Sequence, residues 1–241
     1  MAPDRSLQYL EPREAGTRGI AVLDALAGMI ERAGLQVGDR LPPEVQLAAQ
    51  LGVGRSTVRE ALNRWEGLGI IRRRRGDGTY LSARVQTSSG AVPVMVQLEG
   101  EALLRLLEVR RTLECDVARK AAHNATRAQK AEIARLCDVL LAIIARGEAY
   151  READHHFHGA IAEASGNPMY RQILLRLDEM FERSAESPFS RNAFGLESFP
   201  FHRTLSDAIS AGNADAAAAA MHMIIDSVTG EVRQIIAQGS R

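Results

Sequence analysis

Apolar positions recur at helical spacing over most of the chain, and the breaks between runs divide it into two unlike halves. Residues 20–33 place Ile20, Leu23, Leu26, Ala27 and Ile30 on one helical face, and Gly34 and Gly38 stop that helix. A turn over Gly38-Asp39-Arg40-Leu41-Pro42-Pro43 follows, its second proline suited to the first position of a new helix. That short helix, 44–51, presents Val45, Leu47, Ala48 and Leu51. After Gly52-Val53-Gly54 a third helix over about 56–68 buries Val58, Ala61, Leu62 and Trp65. Residues 70–74 and 79–81 read as strands around a tight turn at Gly76-Asp77-Gly78. Two helices across a glycine turn, followed by a hairpin, predict a winged helix-turn-helix.

Beyond the hairpin the pattern changes. Residues 83–97 are small and polar and read as a linker, and 98–238 as a second, all-helical domain. Helices are expected over about 100–123, 127–146, 148–165, 168–186, 199–211 and 214–237. Their short connections imply an antiparallel bundle of six to seven helices whose interior can hold a ligand. The longer segment 187–198, rich in phenylalanine, is placed to cover something. Residues 1–19, with Pro3 and Pro12 among mixed charges, read as a mobile arm, and 20–82 as the first domain.

Composition narrows the choice of partner. The chain has 241 residues and zero formal net charge, but the charge is unevenly spread. Residues 52–84 carry eight arginines against three acids, whereas 85–241 are mildly acidic, so a polyanion partner is expected for the first half only. No apolar run is long enough for a membrane span, and the two cysteines lack metal or disulfide spacing, which fits a cytoplasmic protein without a membrane partner.

The chemistry sits in two places. Arg55, Ser56, Thr57 and Arg59 fall in the first turn of the third helix, where side chains of a recognition helix meet base edges and phosphates. Ser56 could equally cap the helix, and Arg59 could pair with Glu60 or Glu66. Arg72–Arg75 alternate faces on a strand, so only half of them, taken as Arg72 and Arg74, can face DNA. In the second half, Asp154 and His158 lie one helical turn apart, a spacing that lets both hold one divalent ion such as zinc or nickel, with His202 at the start of a later helix. Asn167 either caps its helix or faces a ligand. The same three groups would suit a metal hydrolase, but no general base of the H-E-x-x-H kind stands beside them.

The stretch GDRLPPEVQLAAQLGVGRSTVREALNRWEGLGIIRRRRGDGTYL resembles the DNA-binding domain of the GntR family of bacterial regulators. That resemblance implies DNA contacts from Arg55, Thr57 and Arg59, with Gly78 at the wing tip. Two positions depart from the family pattern: Val45 replaces a DNA-contacting arginine, and Asp77 stands in the wing tip. LLEVRRTLECDVARKAA, DHHFHGAIAEASGN and FHRTLSDAISAGNADAAAAAMHMI resemble the FCD effector-binding domain found in one GntR subgroup. Its metal pattern falls on Asp154, His158 and His202, but the fourth ligand position is Ile224, and His222 is about 200° away around the helix. The resemblance also sets Arg110 beside the pocket, where an inward guanidinium needs an anion. That anion is a carboxylate-bearing effector, Glu114 or Asp154. The expected protein is a homodimeric regulator on a pseudo-palindromic double-stranded operator, tuned by a small organic acid. An architectural DNA-binding protein with a vestigial sensor domain is the alternative that Ile224 motivates.

Overall fold

The computed structural model describes residues 5–10, 19–85, 94–180 and 187–238. It divides into two compact units, residues 103–179 and 183–235 forming the second and the rest the first.

The first unit contains α1 (Gly19–Arg32), α2 (Glu44–Leu51), α3 (Arg55–Gly67), β1 (Ile71–Arg74) and β2 (Gly78–Leu81). α1 and α2 both pack on α3, and the core they share includes Leu23, Leu26, Ile30, Leu47, Leu51, Val58, Leu62 and a fully buried Trp65. Gly52 closes α2 in the left-handed conformation at φ 70°, which costs glycine nothing and lets α3 start three residues later. β1 and β2 pair antiparallel, with Ile71 opposite Leu81 and Arg74 opposite Gly78. Val45, expected on the buried face of α2, is 54% exposed, because a helix this short has room for one narrow apolar stripe, filled by Leu47, Ala48 and Leu51.

Two features of this unit differ from the sequence reading. Residues 38–41, read as a turn, run alongside β2 and form an isolated antiparallel bridge between Arg40 and Tyr80. Leu81 N donates to Asp39 O, and Gly38 N and Leu41 N donate to Leu81 O and Thr79 O, at 2.8–2.9 Å. Four residues containing glycine, aspartate and arginine carry no alternation that would reveal the pairing. The other difference lies in the N-terminal segment. Arg5–Tyr9 forms a 3-10 helix, with Ser6 and Leu10 buried, Gln50 Nε2 donating to Leu10 O at 3.1 Å, and Arg32 donating to Tyr9 O. Part of the expected arm is thus docked on α1 and α2.

The second unit takes up most of α4 (Val94–Asn124), which begins inside the stretch read as linker; residues 86–93 of that stretch lie outside the described residues. α5 (Arg127–Ala145), α6 (Arg151–Ala164), α7 (Pro168–Met180), α8 (Pro200–Ser210) and α9 (Ala214–Ala237) complete it. Thr126 starts α5 with a reciprocal cap: its hydroxyl accepts from Gln129 N, and Gln129 accepts from Thr126 N. α5 packs against both α6 and α8, and the core includes Leu103, Ala121, Ile133, Leu140, Phe157, Leu205 and Ile209. Both cysteines are free.

The docked N-terminal segment predicts that Leu10→Ala destabilises the first unit by about 2–3 kcal/mol, at the low end of the range for buried leucine. Urea unfolding followed by fluorescence of Trp65, the single tryptophan, reads this unit directly. An unchanged midpoint would show that the segment contributes no packing.

Candidate functional site

The winged unit sorts its arginines by strand alternation and by the supply of carboxylates. On β1, Ile71 is buried, Arg72 and Arg74 point outward, and Arg73 turns inward. Arg73 bonds to Asn63 Oδ1 and lies 3.5 Å from Glu44 and 3.6 Å from Glu66, while its own backbone N–H donates to Glu66 at 3.0 Å. It therefore pins the wing to α2 and α3. Glu44 also accepts from Arg59 Nε at 3.2 Å, so Arg59 pairs across to α2 rather than with Glu60 or Glu66. Arg64 is paired with the buried Glu99. Exposed cations among the described residues of this unit include Arg55 at the start of α3, Arg72, Arg74 and Arg75 on the wing, and Arg84 beyond it.

α3 begins from Gly54 with no side-chain cap, so the Ser56 hydroxyl is exposed and not engaged as the helix cap. Thr57 is half-buried beside it. At the wing tip Arg74 stacks over the Tyr80 ring, with its Cζ 4.8 Å from the centroid, and lies 3.8 Å from Asp77, to which Tyr80 donates at 2.8 Å. Asp77 therefore holds one wing cation in a local cluster. Gly78, at φ 154°, is roofed by Arg40: a Cβ here would sit 2.5 Å from Arg40 Nε. Glu44, Asn63 and Arg40 escaped the sequence reading, because nothing in local spacing links α2 or residue 40 to the wing.

In the helical unit the fold brings Asp154, His158 and His202 together. Asp154 and His158 come from one face of α6 and His202 from the first turn of α8. His158 Nε2 lies 3.2 Å from His202 Nε2; Asp154 Oδ1 is 3.2 Å from the latter and 3.6 Å from the former. His202 Nδ1 is 3.2 Å from the Ser198 carbonyl, which can only accept, so Nδ1 is the donor in that contact and Nε2 faces Asp154 and His158. His158 Nδ1 faces Glu114 Oε2 at 3.4 Å. Glu114 in turn accepts from Arg110 Nε at 2.6 Å, and Arg110 Nη1 donates to Asp178 at 3.0 Å.

Two carboxylates thus share the Arg110 guanidinium, and Asp154 faces the two imidazoles, in a cluster where His202 and Glu114 side chains are only 2–3% exposed. Burial alone would raise Glu114, yet Arg110 and then His158 hold it down to about 2. Burial opposes charge on His158 as well, but Asp154 and Glu114 outweigh it and push that imidazole up to about 10. Asp154 likewise overcomes its burial, through His158 and His202, to lie far below the usual carboxylate range. Arg110, despite burial, is held above its ordinary value by Glu114 and Asp178.

The cluster opens onto a cavity of about 120 Å³. Its apolar wall includes Leu107, Phe199, Met221, Ile224, Ile225 and Val228, so Ile224 puts a hydrocarbon side chain where the sequence pattern called for a ligand. His222 is half exposed and pairs with Asp226 at 3.0 Å, away from the cavity lining. Segment 187–199 forms part of the lid through Phe194, Gly195, Ser198 and Phe199. It is fastened by Tyr150 to the Phe194 carbonyl and by Glu231, which accepts from Gly195 N at 2.7 Å.

Two positions that the sequence left open, Arg110 and Asn167, find partners in the structure. Arg110 lines the cavity, but its charge is already met by Glu114 and Asp178, the second of which the sequence did not reveal. Asn167 is exposed and accepts from Met169 N at 3.0 Å, capping α7 instead of facing the cavity.

Comparison with known proteins agrees with both halves. A family profile described as "Bacterial regulatory proteins, gntR family" matches residues 20–81, and one described as "FCD domain" matches 105–227. The chain is 33% identical over 199 residues to the HTH-type transcriptional regulator LutR of Bacillus subtilis, covering 80% of this chain and 91% of that protein. It is 33% identical over 211 residues to the putative L-lactate dehydrogenase operon regulatory protein of Escherichia coli, covering 83% of this chain and 80% of that one. A solved structure of Lar, which controls expression of the Listeria monocytogenes agr system, shares the fold with a TM-score of 0.52 at 16% identity, covering 92% of this chain and 99% of that one. These relatives are regulators and not enzymes. The chain belongs to the gntR family of bacterial transcriptional regulators, with a winged helix-turn-helix for DNA and a C-terminal FCD effector-binding domain.

Proposed function

We propose that this regulator acts in the cytoplasm as a homodimer on a pseudo-palindromic operator. α3 enters the major groove, Arg55, Ser56, Thr57 and Arg59 read bases and phosphates there, and Arg72 and Arg74 of the wing hold the adjacent backbone around Gly78. The outward placement of Arg55, Arg72 and Arg74 supports this, as does the bracing of Arg59 by Glu44. Among the described residues no helix is long and apolar enough to cross a membrane.

In the sensing half, the reading rests on one observation: two imidazole nitrogens and a carboxylate oxygen converge on a point in the interior of the helical unit. Ligands about 2.0–2.1 Å from a tetrahedral ion stand about 3.3–3.4 Å apart, and the three separations here are 3.2, 3.2 and 3.6 Å. Asp154, His158 and His202 therefore fit a divalent cation such as zinc or nickel. Ser198 and Glu114 orient the two imidazoles, as outer partners of metal-bound histidines do. When bound, the ion supplies positive charge and free positions for an anionic effector. Ile224 keeps the α9 side of the site apolar, which suits a small organic acid with a hydrocarbon end. The operon named for the Escherichia coli relative makes L-lactate the first acid to test.

Binding to the protein's own promoter, measured by fluorescence anisotropy, should weaken by about 1–3 kcal/mol for Arg55→Ala and for Arg59→Ala. Arg72→Ala should lower the slope of log affinity against log salt by about one. Parent-like binding by both α3 variants would overturn the recognition-helix assignment.

Protein purified with zinc or nickel should carry about one ion per chain, and EDTA should lower its Tm by mass action. Asp154→Ala and His158→Ala should abolish both the metal content and the EDTA response. Absence of metal in the parent, together with no stabilisation by any small acid, would favour the architectural DNA-binding alternative.

A further inference from the structure

The effector cavity has a second guanidinium in its wall. Arg151 opens α6 one turn ahead of Asp154, so Arg151, Asp154 and His158 project from the same side of the helix. Its Nη2 donates to the Phe189 carbonyl at 2.6 Å, and among the described residues none of its contacts is with a carboxylate. Arg110, across the cavity, is occupied by Glu114 and Asp178. A guanidinium has five donors and a permanent charge, and one carbonyl satisfies only one of those donors. Phe194, Phe199 and Val228 line the same space and lower the polarity around the group. Such a charge is most stable with an anion in front of it.

Two further observations narrow the anion. The cavity, at about 120 Å³, is well below the roughly 300–1,000 Å³ of pockets for drug-sized ligands, which points to a molecule of a few heavy atoms. α6 also lacks a side-chain cap, and the positive end of its 14 residues adds to the field at Arg151.

We propose that Arg151 binds the carboxylate of the effector, whose other end lies toward Asp154, His158 and His202, the residues that would hold the metal; this rests on the effector-binding reading above. The Phe189 carbonyl holds the guanidinium in place and leaves its remaining donors for a two-pronged carboxylate contact. Carboxylate and lid segment then share one side chain, so an acid at Arg151 also reinforces the closure of 187–199.

Calorimetric titration of the zinc-loaded full-length protein with L-lactate, glycolate and pyruvate, and with the neutral lactamide, tests this. Metal content and Tm are measured in parallel. Arg151→Gln should weaken the acids about ten- to a hundredfold, as expected for charged hydrogen bonds, and leave zinc content and the lactamide response unchanged. Arg151→Lys keeps the charge without the fork and should fall between the two; it carries the test if the glutamine variant does not fold. Parent-level acid affinity in the folded variant overturns the assignment of Arg151 while the effector reading stands. Loss of zinc together with acid binding makes Arg151 structural and overturns it as well. Failure of the parent to bind any of these acids overturns both.

Discussion

Glu114, sealed inside the helical domain, has to be neutralised from two directions, and the sensing site is built around that requirement. Arg110 meets one oxygen and His158 faces the other. Arg110 is shared with Asp178, and the Asp154 carboxylate is met instead by the imidazoles of His158 and His202. Removing either partner of such a buried pair costs more than the pair contributes, because the survivor keeps its desolvation penalty. The four helices that deliver these groups, α4, α6, α7 and α8, are therefore bound together by charge as well as by packing.

The winged unit applies the same rule at its surface. Arginines that turn inward onto carboxylates brace the unit, and those that stay exposed keep a face for a phosphate. Glu44 and Glu66 claim Arg73, and Glu99 claims Arg64. Asp77 and Tyr80 hold Arg74 near the tip. A count of positive charge along the chain overstates what DNA can meet, because two of the eight arginines in residues 52–84, Arg64 and Arg73, are turned inward onto carboxylates of other elements.

Legibility in the sequence followed the range of the interactions. Val58, Ala61, Leu62 and Trp65 could be placed inside from helical spacing alone, and Asp154 and His158 on one face by the same rule. Asp178, Glu44 and Arg151 could not be assigned roles, since each acts on a group in another element. Asn167 was open between capping and ligand binding. The choice fell to the cap because the Met169 amide is two residues away, whereas the cavity lies elsewhere.

The sequence by itself determined the order of helices and hairpin, the basic character of the wing and the absence of a fourth histidine at Ile224, because periodicity, composition and residue identity are local properties. The tertiary structure alone decided which arginines keep their charge available and which carboxylates consume the others. It also brought His202 within 3.2 Å of His158 and seated Arg151 beside them. Those outcomes depend on distances between helices far apart in the chain, and electrostatic interactions at low polarity vary steeply with such distances.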